Sequence, residues 1–167
     1  MKNIEKFSLY LFHNLKINSN LKIQKILFFL RVYEKIHSIE NSQIFEENNN
    51  FQAWIYGPVN IPSYYLINNY LNECSQMPDD ILIKLNNEYA TNLSKYISIA
   101  SKLNKYNVSL LVDLTHNNIS YIKARKGIDK DAPCCNFINE ENDDFTEFNN
   151  KDRAEFSEII KLLSENN

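Results

Sequence analysis

A mainly α-helical single domain, built of several helices around one central apolar helix and carrying a small β element, is the fold this sequence predicts. Three observations lead there. Apolar residues recur at helical spacing, beginning with Ile4, Phe7, Leu11 and Leu15. Residues 21–37 are apolar on nearly every side, which places that segment at the centre of a helical fold. One stretch breaks the helical rhythm: Phe51-Gln52-Ala53-Trp54-Ile55-Tyr56-Gly57-Pro58-Val59 alternates large side chains and then turns sharply at Gly-Pro. The chain has 167 residues, 44% of them hydrophobic, with 10 Phe and 10 Tyr. A domain of this length buries about 70% of its unfolded surface, enough for a core without metal or disulfide.

The elements follow in order. Residues 4–16 form a first helix, broken at Asn18-Ser19-Asn20, with Asn20 as the N-cap of the central helix. Lys22, Lys25, Arg31 and Lys35 of that helix are expected to lay their stems on apolar neighbours and keep their charges in water. Ile44–Glu46 and Phe51–Tyr56 read as paired strands joined at Asn48-Asn49-Asn50, a two- or three-stranded β element near residues 44–56. Pro62 opens a helix at its first turn, where a missing N–H costs little. Residues 73–87 fit either a helix or a strand. Tyr89, Leu93, Tyr96, Ile97, Ala100 and Leu103 make the stripe of a long helix over 87–105. Asn107 or Ser109 caps a short helix that ends at Thr115-His116-Asn117-Asn118, with Asn in the left-handed exit. Ser120 caps another, stopped by Gly127. Residues 128–150 are acidic and irregular, held on the surface by Phe137, Phe145 and Phe148. A last helix covers 151–165.

Charge is unevenly spread over a net −3. Residues 1–36 hold seven basic against two acidic side chains (net +5); residues 127–167 hold four against eleven (net −7). An acidic extension of this kind is either a solvated face or a surface for a basic partner. The overall balance argues against a general nucleic-acid binder. Three cysteines without a CxxC spacing suit a reducing cytoplasm, no secretion signal is evident, and no apolar run approaches the roughly 20 residues that cross a bilayer.

Little in the chain points to catalysis. Cys134-Cys135, with Cys74 and a histidine, matches no common zinc spacing. His116 at a helix end serves the helix dipole or, with Asp113, acts as a base. His13 and His37 sit on patterned helices. The carboxylate pairs at Asp79-Asp80, Glu140-Glu141 and Asp143-Asp144 lie in polar turns. With two glycines in the whole chain, a phosphate cradle is close to excluded, and there is no GxSxG or HExxH. No metal and no cofactor is expected. Lys123, Arg125 and Lys126 after Tyr121 make a small basic patch that reads as a solvated face or a nucleic-acid contact.

Three segments together resemble the SocA-like antitoxin family, also called the Panacea domain. They are Leu21–Phe29, of Leu-Lys-Leu-Gln-Lys-Leu-Leu-Tyr type; Phe51–Val59 with Pro62 and Tyr65, of Phe-x-Ala-Trp-x-Tyr-Gly-Pro-Val type; and Leu111–His116 with Ala124-Arg125, similar to a Leu-x-x-Leu-Thr-His ending. The resemblance covers residues 4–126. It departs at Tyr121, where relatives often carry Trp, and over residues 73–87, which match nothing in the family, and it leaves 127–167 without a counterpart. It implies a cytoplasmic protein that neutralises a protein toxin encoded nearby by binding it. Trp54, Tyr56 and Val59 beside the Gly57-Pro58 turn, with His116 and Arg125, are then the expected contact surface, unless Trp54 and Tyr56 are core. A small hydrolase using His116 with an acid or thiol, and a nucleic-acid adaptor, are the alternatives.

Overall fold

Leu27, Phe28, Phe29 and Leu30 follow one another on one helix, and all four are fully buried. Four consecutive positions span every side of a helical turn, so this helix must be surrounded. In the computed structural model of the chain, which describes residues 1–73, 84, 87, 93–133 and 136–165, it is. The elements are α1 (Asn3–Asn14), α2 (Asn20–Ile36), β1 (Gln52–Trp54), β2 (Gly57–Val59), α3 (Ile61–Glu73), α4 (Ser94–Asn104), α5 (Val108–His116), α6 (Ile119–Arg125), a 3-10 turn (Asp143–Thr146) and α7 (Ala154–Ser164). The fold is mainly helical with a small antiparallel sheet, a compact single domain. α2 packs against α1, α3, α4, α5, α7, β2 and the 3-10 turn. Phe28 sits edge-on to Phe29, Phe51 and Phe145 at 5.8, 5.5 and 5.3 Å, joining three distant parts of the chain in one aromatic knot.

Several boundaries differ from those read in the sequence. Ser19, not Asn20, caps α2, accepting from the Lys22 N–H. Asn20 is the first helical residue, and its amide donates to the Tyr64 carbonyl and the Asn68 side chain across on α3. Asn117 ends α5 in ordinary right-handed geometry rather than left-handed. Asn118, not Ser120, caps α6 by accepting from the Tyr121 N–H. α7 begins at Ala154, three residues later than expected. The N-terminal half of the predicted 87–105 helix and the ambiguous segment after Glu73 lie largely outside the described residues, as do Cys74, Cys134 and Cys135.

The β element is real but its pairing is different. The strands are Gln52–Trp54 and Gly57–Val59, in register Gln52↔Val59, Ala53↔Pro58 and Trp54↔Gly57, around the two-residue turn Ile55-Tyr56. Ile44 and Phe45 form no strand. They are buried, and both of their N–H groups donate to the Ser42 hydroxyl. The other edge of β1 is taken by the acidic extension: Ala53 N–H donates to the Asn136 carbonyl, and Ile138 N–H to the Phe51 carbonyl.

That extension is not merely draped over the surface. Phe145 is fully buried, Phe148 nearly so, and Phe137 remains half-exposed. Glu140 is buried too, and it reaches Arg31 of α2, which is not in water as expected. The Arg31 guanidinium donates to Glu140 and Glu34, both at 2.9 Å, and to the Glu46 and Glu47 carbonyls. Asn50 donates to both Glu140 oxygens; Tyr96 and Ser42 donate to Glu34. Burial, and then the Glu34 carboxylate, push the Tyr96 hydroxyl pKa upward. Buried ions persist only when paired and hydrogen-bonded throughout, and this set meets that condition.

Candidate functional site

The Gln24-Lys25 pair of α2 fixes the β2 strand and its exit. Gln24 accepts from the Asn60 N–H and donates to the Ser63 hydroxyl, clamping the turn from β2 into α3. Lys25 is fully buried, contrary to the sequence expectation, and its Nζ donates to the Pro58 carbonyl at 2.8 Å. A helix enclosed on all sides leaves its lysine no solvent face, so the amine must find a carbonyl inside. Burial lowers its pKa to about 7.

Gly57 sits directly over that amine. Its φ is +99°, a left-handed conformation that side chains rarely adopt. A Cβ there would lie 2.5 Å from Thr115 Oγ1 and 2.9 Å from Lys25 Nζ. Glycine is therefore required twice, by torsion and by space. Thr115 Oγ1 is held in place by donating to the Val112 carbonyl.

The back of the hairpin is fixed from α6. The Tyr121 hydroxyl donates to the Trp54 carbonyl at 2.7 Å. Arg125 donates to the Ala53 carbonyl at 3.1 Å and to the Asp129, Lys130 and Ala132 carbonyls. His116 stacks flat on Tyr121, with ring centroids 5.2 Å apart. Its Nε2 is buried with no hydrogen-bond partner. Burial lowers its pKa, and the Lys25 charge adds to that against the opposing pull of the Ile55 carbonyl and Asp113. The ring is thus neutral at neutral pH. Among the described residues no hydrogen bond joins His116 to Asp113.

The predicted site residues therefore divide. Gly57, Pro58 and Val59 are buried and form the inner side of the hairpin rather than a contact surface. Arg125 ties backbone segments together, and His116 is half-buried beneath the turn. Trp54 is half-buried, its ring 4.9 Å from Tyr64, and Tyr56 stands 63% exposed at the tip. Lys25 is the residue that sequence reasoning missed. The signal available was the all-round apolarity of residues 21–37, which left no wet face for it.

Among the described residues no group of acidic, cysteine and histidine side chains is placed to hold a metal ion, and no helix is long and apolar enough to cross a membrane. Comparison with protein-family models, with curated proteins and with solved structures finds no match.

Proposed function

We propose that this chain is an antitoxin-like binding protein that neutralises a toxin encoded nearby by holding it, in the cytoplasm, without transforming a substrate. One observation carries the reading. The three segments that resemble the SocA-like family, separated by tens of residues in sequence, converge on one point: Lys25, Gly57-Pro58 and Thr115 touch. That convergence supports treating them as one motif with one purpose. Its outward consequence is a two-residue turn that leaves Tyr56 in solvent, directly after the β1 strand that ends at Trp54. An aromatic carried on a paired hairpin turn has less backbone freedom to lose on docking, and Tyr and Trp are enriched among the residues that carry most binding energy.

A hydrolase built on His116 gains one observation, a neutral imidazole beside an amine whose pKa is close to neutrality. It loses another, since Nε2 is shielded from solvent and from any substrate there. The experiment expresses the adjacent reading frame alone, with this chain, and with Tyr56→Ala. Tyr56 is exposed, so its truncation tests contact rather than folding. Growth arrest by the neighbour, relief by the chain, and loss of about 2 kcal/mol of binding in the variant are expected. Full affinity with Tyr56→Ala would remove the turn from the contact.

A further inference from the structure

Residues 48–72 hold no Lys, Arg, Asp, Glu or His, a run of 25 residues in a chain that is 23% charged. Burial accounts for part of the run, but not for its surface. Only Ser63 and Ile67 of the thirteen residues in α3 are fully buried. The solvent side of that helix is Tyr65, Asn69 and Asn72, positions where a solvated helix ordinarily carries Lys or Glu, and its first charged residue is the exposed Glu73 at the last position. Tyr65 is 57% exposed. Its ring lies 5.6 Å from Tyr64, whose ring lies 4.9 Å from Trp54. The aromatic surface at the hairpin thus continues onto α3.

We infer that this uncharged strip, Trp54–Tyr64–Tyr65 with Tyr56 at the hairpin tip, is the docking surface for an uncharged, apolar segment of a partner protein. The inference rests on the binding function proposed above and adds where the partner sits and what it presents. Depletion of charge together with enrichment in Tyr and Trp is the composition of interface cores. A partner charge laid on the strip would lose its water and find no counter-charge within residues 48–72, which favours a neutral matching face. Nucleic acid and anionic membrane both bind through Lys or Arg, and residues 48–72 hold neither.

The test uses the full chain, the purified product of the adjacent reading frame as probe, and calorimetry from about 50 to about 500 mM salt. Tyr65→Arg places an unpaired cation in the strip at an exposed position, Tyr65→Phe keeps the ring, and Lys102→Glu on α4 controls for a change of charge elsewhere. The expected result is a Kd that changes less than about threefold with salt, rises at least about tenfold in Tyr65→Arg, and is unaltered in Tyr65→Phe and Lys102→Glu. Binding that is strongly salt-dependent, or indifferent to Tyr65→Arg, overturns the strip while leaving the binding function standing. Absence of any binding or neutralisation overturns both. Light scattering on the chain alone is the remaining arm: a dimer dissociated by Tyr65→Arg would assign the strip to a second copy and overturn the partner assignment.

Discussion

Replacing Lys25 with methionine gives the most quantitative check on the centre of this fold. The amine is fully buried, and burial drops its pKa from 10.5 to about 7. That drop corresponds to about 5 kcal/mol of differential stabilisation between protonated and neutral forms. The sign follows from the proton balance. Below about pH 7 the amine is protonated in both states, and the penalty on the folded state is complete. Between about pH 7 and 10.5 only the unfolded chain holds the proton, so stability climbs with pH. From about pH 7 to about pH 9 the gain is about 2 kcal/mol. Methionine has a similar length and no charge to desolvate, but it forfeits the bond to Pro58 O, worth about 1–3 kcal/mol when the acceptor is left buried. The Lys25→Met variant is therefore expected to be more stable at pH 7 by about 1–3 kcal/mol, an advantage that shrinks by about 2 kcal/mol at pH 9. Urea unfolding of both proteins at the two pH values reads this directly. A difference between them that stays constant across the range would refute the burial of a titrating amine.

Gly57→Ala is expected to cost at least about 2 kcal/mol, from the left-handed backbone and from a Cβ pressed on Thr115 and Lys25; thermal unfolding measures it. Arg31→Met leaves Glu34 and Glu140 buried without their cation, and is expected to cost about 3–5 kcal/mol by urea unfolding, far beyond a surface ion pair. Phe145→Ala removes a ring from the knot around Phe28. It should cost about 3–5 kcal/mol in the same assay, whereas a residue merely draped on the surface would cost almost nothing.

The helical part of this fold was legible because its signals are local. The stripes of α1, α4 and α7 and the Asn107 cap lie within a few residues of one another in sequence. The hairpin was misread because Ile44-Phe45 and Phe51–Trp54 both look like strand. The choice of Gly57–Val59 as partner depended on Gly57 accepting a positive φ directly at the turn. Lys25 and Arg31 were placed in water because periodicity counts any charged residue as polar. Beyond Glu34, three residues along from Arg31, their partners are the Pro58 carbonyl and Glu140, 33 and 109 residues away, and no local pattern reports such pairs. The same distance hid the role of the acidic extension, since Glu140 and Phe145 resemble the solvated residues around them. Of the site, the Gly57 requirement was readable, whereas the sequence left open whether Trp54 and Tyr56 face the core or the surface. The inward roles of Val59 and Arg125 were not readable, because each depends on tertiary packing.

Holding and transforming differ in stoichiometry, and that difference tests the account most directly. The purified product of the adjacent reading frame is assayed for its toxic activity while this chain is titrated into it. Neutralisation by binding predicts activity that falls in proportion to added chain and vanishes near equimolar amounts. Complete inactivation by a small fraction of an equivalent, given time, would mean that the chain turns over, and would contradict the account.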